Sequence, residues 1–224
     1  MKTLEDIGRA YGTDKLEHSY LTLYAERFDR LRSQPITICE IGTWQGASVK
    51  TWREYFYNPL AKVVGFDHAP EWMPVPGDAI TVEVGSQEDA AFQADFGRRQ
   101  GPFDIIIDDG GHKPQQHLAS LKALWPFLKA GGFYCIEDVQ SIYDICWNES
   151  GCEKTIFDWL TERWKEIIIG GSDVQEVTVV GGNWNDGLVF LRKRWQPYTP
   201  RSWATHDCSA VRIQWTLAAH ACLG

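Results

Sequence analysis

The segment Phe103-Asp-Ile-Ile-Ile-Asp108 carries three consecutive isoleucines and then breaks into Asp109-Gly-Gly-His112. A run this apolar, with no polar residue between its isoleucines, needs cover on both faces, which a parallel sheet packed between helices provides. Gly131-Gly-Phe-Tyr-Cys-Ile-Glu-Asp138 repeats the arrangement, an apolar strand that ends in acids. As neighbouring parallel strands, the two deliver Asp108, Asp109, Glu137 and Asp138 to one sheet edge. Carboxylates gathered at one rim repel, and a hard cation among them relieves the repulsion. His112, three residues past Asp109, is then the candidate base beside that cation. A plainer reading is also open: Asp108 and Asp109 form a turn with Gly110, Glu137-Asp138 opens a loop, and His112 neighbours a helix start at Pro114. His117, one helical turn further along, is the rival base.

The rest of the chain supports such a sheet. Strands are predicted at 36–41, 62–67, 79–84, 103–108, 132–137, 174–180 and 188–192. Helices are predicted at 3–11, 20–31, 47–56, 87–96, 114–128 and 155–169, where apolar residues such as Val49, Trp52 and Phe56 recur at helical spacing. Strands alternating with helices imply an α/β, doubly wound sheet with helices on both faces. The 224 residues suit one such domain. From Gln196 to Gly224 the chain has two prolines and no sustained period, so this segment is expected to sit outside the sheet as an appendage.

Charge and cysteine usage narrow the function classes. A net charge of -8 without clustered Lys or Arg argues against nucleic acid as a partner. Neither an apolar signal core after Met1 nor a run of about 18 apolar residues is found, so a cytoplasmic protein without a membrane partner is expected. The six cysteines form no C-x-x-C pair and read as free thiols. Trp44, Trp72, Trp147 and Trp184 fall in or beside loops and are candidates for the wall of a small-molecule pocket.

Ligands of open α/β sheets bind at the carboxyl ends of the strands. The first strand runs into Glu40-Ile-Gly-Thr-Trp-Gln-Gly-Ala-Ser48, where Gly42 and Gly46 permit a tight turn and close approach of a ligand. This is not the G-x-G-x-x-G of dinucleotide enzymes, which disfavours a nicotinamide oxidoreductase. Asp67 ends the second strand and is placed to accept from ribose hydroxyls, and Gly85-Ser-Gln-Glu88 follows the third.

Taken together, Tyr11-Gly-Thr-Asp-Lys15, His18-x-Tyr20, Glu40-Ile-Gly-x-x-x-Gly-x-Ser48, Trp52-Arg-Glu-Tyr-Phe56, Asp108-Asp-Gly-x-His112 and Ile136-Glu-Asp138 resemble the metal-dependent sugar O-methyltransferases of macrolide pathways, within the class I S-adenosylmethionine-dependent methyltransferases. The resemblance covers about residues 3–193. It implies a Rossmann-like, seven-stranded sheet whose last strand is antiparallel, an N-terminal helical lid segment at 1–34, a cofactor-binding domain at 35–195 and the appendage at 196–224. It implies S-adenosylmethionine and Mg2+ as cofactors, with Asp109, Glu137 and Asp138 as metal ligands and His112 as general base. On the cofactor side it implies Thr13 and Lys15 from the closing segment, Glu40, Gly42, Gly46 and Ser48 near the methionine, Asp67 at the ribose, Ser86 and Gln87 at the adenine, and Asp108. The implied acceptor is a small-molecule hydroxyl, on a sugar or another vicinal diol, and self-association of the chain is a further expectation. A metal-independent N-methyltransferase or aromatic O-methyltransferase is the alternative.

Overall fold

The computed structural model describes residues 1–75, 79–143, 154–168, 171–183, 186–195 and 212–217. Helix α1 (Leu4–Tyr11) opens with a capping box in which the Thr3 side chain accepts from Asp6 N and the Asp6 carboxylate accepts from Thr3 N. It stops at Gly12, whose φ of 72° turns the chain inward. Helix α2 (Tyr20–Phe28) continues as a single tight turn, Asp29–Leu31. Then follow β1 (Thr37–Ile41), α3 (Ala47–Tyr55), β2 (Lys62–Asp67), β3 (Ile80–Val84), α4 (Ala90–Gln100), β4 (Phe103–Asp108), α5 (Pro114–Leu124), β5 (Leu128–Ile136), α6 (Ile156–Ile168), β6 (Val174–Asn183), β7 (Asp186–Lys193) and β8 (Arg212–Leu217).

The strands form one sheet in the order β3-β2-β1-β4-β5-β7-β6-β8. The seven expected strands are all in it, and β7 alone runs antiparallel to its neighbours β5 and β6. From β1 the chain steps outward to β3 and returns to pair β4 on the other side of β1, which creates a switch point between β1 and β4. Ile41 pairs with Phe66 and Asp108, and Asp108 pairs with Ile136, so the carboxyl ends of four strands meet at one rim.

Two differences from expectation have local causes. Helix α4 begins at Ala90, because Asp89 accepts from Ala91 N and Phe92 N and fixes the helix start after Gln87 rather than at it. The eighth strand comes from the segment expected to lie outside the sheet: Arg212–Leu217 pairs in parallel with β6, from Glu176↔Arg212 to Gly181↔Leu217. Six residues are too few to show a sustained period, and the open edge of β6 supplies the ladder that makes them a strand.

Each face of the sheet carries its own core. Ile105 and Ile107 of β4 pack with Tyr24 and Phe28 of α2 and Trp52 of α3, while Ile106 packs on the opposite face with Phe96 of α4, Leu121 of α5 and Leu160 of α6. The isoleucine run is therefore apolar throughout because both of its faces are covered. Cys39 and Cys135 are buried free thiols, and the other four cysteines lie outside the described residues. Among the described residues no helix is long and apolar enough to cross a membrane.

Truncating Ile106 to Ala should lower the unfolding free energy by roughly 2–5 kcal/mol. Val84→Ala, at an exposed strand end, should change it by less than about 0.5 kcal/mol. Urea denaturation followed by tryptophan fluorescence measures both, and equal losses would contradict the two-sided core.

Candidate active site

A cleft of about 750 Å³ opens where the strands end, at the β1/β4 switch point. That volume lies within the usual range for a small-molecule site. Its walls come from Ile41–Gln45 after β1, Phe66–Ala69 after β2, Gly85–Glu88 after β3 and Asp109–His112 after β4, and Gly12, Thr13 and Asp14 roof it. Thr13 is buried, and neither its hydroxyl nor that of Thr43 makes a hydrogen bond within the protein.

The loop after β1 owes its shape to its glycines and to Asp67. Gly42 has φ 81°, and a Cβ there would overlap the Asp109 carbonyl oxygen, so only glycine lets the loop pass the end of β4. Gly46, with φ 76°, is packed against the Trp72 ring and lies behind the cleft wall. Asp67 Oδ2 accepts from the amides of Thr43 and Trp44, each at 2.9 Å, and Oδ1 accepts from Ala69 N. The expected ribose acid thus lines the cleft and also clamps the loop. Trp44 is 57% exposed at the rim, while Trp72 lies behind Gly46 with Lys50 4.2 Å from its ring centroid. Trp147 and Trp184 are outside the described residues.

Several expected cofactor contacts are placed beneath the cleft. Asp108 is fully buried and is not on the wall; burial pushes its carboxyl up to about 8. It accepts from Gln87 Nε2 at 2.6 Å, and Gln87 Oε1 in turn accepts from Gly111 N at 2.9 Å. Gln87 reaches the cleft, but both ends of its amide are spent on holding the Gly110-Gly111-His112 turn. Ser86 lines the wall, with its hydroxyl accepting from Glu88 N. Ser48, also on the wall, donates to Glu40 at 2.7 Å, and Glu40 itself is buried below.

Lys15 does not line the cleft. Its side chain is 1% exposed and points past the cleft into the acid cluster, where the ammonium pairs with Asp109, with Glu137 at 2.9 Å and with Glu40 at 3.3 Å. Burial alone would lower this ammonium, but the Asp109, Glu137 and Glu40 carboxylates outweigh it and hold Lys15 well above the usual lysine range. Glu137 is turned inward: Oε2 accepts from Lys15 and Oε1 from the Tyr24 hydroxyl at 2.6 Å. Burial, with Asp109's charge adding to it, raises its carboxyl well above the usual range.

The remaining expected residues meet on the outer side of the cluster. Asp109, His112 and Asp138 each offer a ligand atom, all within 4.8 Å of one another. His112 Nδ1 lies 3.7 Å from Asp138 Oδ2, and Asp138 Oδ1 accepts from the Tyr20 hydroxyl at 2.9 Å. His112 and Asp138 both have positive φ, 55° and 54°, a conformation that costs energy in non-glycine residues and is held by the surroundings. Ser141 secures the first by donating to the His112 carbonyl at 2.5 Å. Asp109 and Asp138 present carboxylate oxygens beside His112, and a divalent cation fits these donors. In the sequence Tyr20 stands out only within His18-x-Tyr20 and Tyr24 not at all, although at i and i+4 they mark one helix face turned to the acids. His117, the rival base, is fully buried with neither ring nitrogen hydrogen-bonded within the protein, and burial pulls it down to about 3.

Residues 39–139 match the family described as a methyltransferase domain. Over 150 residues the chain is 39% identical to the 8-demethyl-8-(2-methoxy-alpha-L-rhamnosyl)-tetracenomycin-C 3'-O-methyltransferase of Streptomyces olivaceus, a match covering 62% of this chain and 38% of that protein. It is 34% identical over 149 residues to the mycinamicin VI 2''-O-methyltransferase of Micromonospora griseorubida, covering 62% and 37%. Among solved structures it is similar to the MycE methyltransferase from the mycinamycin pathway in complex with Mg, SAH and mycinamycin VI, with 26% identity and a TM-score of 0.74 over 92% of this chain and 57% of that one. The fold is that of the class I methyltransferases, and the resemblance to macrolide-sugar O-methyltransferases is borne out. The chain spans well under half the length of the curated relatives it matches.

Neutral burial of His117 gives a pH dependence of stability. Its folded pKa lies below its unfolded value of about 6.5, so the stability present above that pH is lost as pH falls toward 3, at about 1.4 kcal/mol per unit. His117→Leu should remove this contribution, which urea melts at pH 7 and pH 5 will show as a smaller acid loss than in the wild type.

Proposed function

We propose that the chain is an S-adenosylmethionine-dependent O-methyltransferase that acts on a sugar hydroxyl or another vicinal diol of a small molecule, with Mg2+ and His112 as base. The observation that carries this reading is continuity: Asp109 and His112 line the cleft and also belong to the group, with Asp138, that can hold a cation. A methyl donor in the cleft and an activated hydroxyl at the acid corner would then be adjacent. The relatives' printed substrates, rhamnosyl tetracenomycins and mycinamicin VI, support the sugar class.

The group fits the residues present. Thr13, Thr43, Ser86 and Asp67 line the cleft and would surround the donor. Asp109 and Asp138 would hold Mg2+, and Glu137 would join them only by giving up Lys15 or Tyr24. When bound, S-adenosylmethionine supplies an electrophilic methyl group and Mg2+ a Lewis acid that favours the deprotonated hydroxyl. His112 removes the hydroxyl proton, and Asp138, 3.7 Å from Nδ1, orients the ring and stabilises the imidazolium that results. The Asp108–Gln87–Gly111 chain of hydrogen bonds holds the turn that carries His112, so the base stays in place through the transfer. Gly12, Thr13 and Asp14 line the cleft beside the place of the donor.

His112→Ala should lower kcat by about 10²–10⁴-fold on a rhamnosyl glycoside acceptor, while the Kd for S-adenosylhomocysteine, measured by calorimetry, changes little. EDTA should abolish transfer and added Mg2+ restore it; full activity in EDTA would instead support metal-independent transfer. Methylation of amines in preference to diols would move the substrate class.

A further inference from the structure

We propose that Lys15 is a built-in competitor for the divalent cation, and that through Asp109 it couples cation binding to the roof of the cleft. The inference rests on the metal-assisted reading above and adds a role for a residue whose expected contact was with the cofactor. A lysine usually carries its ammonium out to water. Lys15 does the reverse, with its stem running from the Asp14–Leu16 turn into the sheet edge, where three carboxylates surround Nζ. An ammonium and a hard divalent cation prefer the same carboxylate oxygens, and Asp109 belongs both to the Lys15 cluster and to the cation group with His112 and Asp138.

The same residue secures the roof. Gly12 ends α1 in the left-handed conformation, Thr13 N donates to Gly8 O, Leu16 N donates to Thr13 O, and Leu16 packs against the core, so backbone bonds and one apolar contact hold the segment from one side. On the other side the Lys15 ion pairs tie it to the ends of β1, β4 and β5. A cation that draws on Asp109 weakens that tie, and by reciprocity the tie weakens the cation. Without a cation the roof is latched by the ammonium; with one, Gly12 to Leu16 loosen over the cleft.

The test is Mn2+ binding, followed by electron paramagnetic resonance, to the wild type and to Lys15→Met. Removal of the competing charge should tighten Mn2+ by about tenfold or more and make the thermal stability of the variant rise more steeply with Mn2+ than that of the wild type. Wild-type hydrogen exchange gives a second readout that needs no variant to fold: saturating Mn2+ should speed exchange of the amides of residues 12–16. Equal or weaker Mn2+ binding by Lys15→Met, or unchanged or slowed exchange of that segment, overturns the proposal while leaving the metal reading intact. Binding by neither protein overturns both. Binding by the variant alone supports the competition in its strongest form.

Discussion

The interaction on which the site depends is the ion cluster of Lys15 with Glu40, Asp109 and Glu137. Parallel pairing of β1, β4 and β5 fixes the ends of these strands side by side, so their acids converge whatever their charges prefer. Isolated buried carboxylates are too costly to keep ionised in a protein interior. The fold meets this cost in three ways: Lys15 compensates the inner acids, Gln87 donates to Asp108, and the Tyr20 and Tyr24 hydroxyls donate to Asp138 and Glu137.

From that compensation comes the division of the acids into two sides. The inner side, around Lys15 and Tyr24, is sealed and serves to dock α2 and the N-terminal segment onto the sheet. On the outer side Asp109 and His112 line the cleft with Asp138 beside them, and His112 and Asp138 hold costly positive-φ conformations. Asp109 belongs to both, which makes the anchoring of the roof and the chemistry of the cleft parts of one electrostatic balance.

Much of the fold was legible in the chain. Buried isoleucines with no polar interruption, glycines after β1 and acids after β4 and β5 follow local rules of period and turn geometry, and the seven strands fall close to where those rules put them. The roles of individual polar residues were less legible. Asp108 and Asp109 are adjacent in sequence and alike in type, yet one is a buried prop under Gln87 and the other is a shared counter-ion. Gly46 reads as a site for close ligand approach, but Trp72 fills the space its missing Cβ leaves. Neighbours distant in sequence made these decisions, and no local pattern encodes them.

The sequence by itself determined that strand ends would carry acids, a glycine loop and a histidine to one rim, because alternation and burial of apolar surface are properties of short segments. Only the tertiary structure decided that Lys15 would reach Asp109 across 94 residues and Glu137 across 122, that Tyr24 would hold Glu137 inward, and that Arg212–Leu217 would extend the sheet. The physical reason is that a charge or a strand edge finds its partner by proximity in the folded chain, where the cost of burial forces a pairing that sequence spacing does not specify.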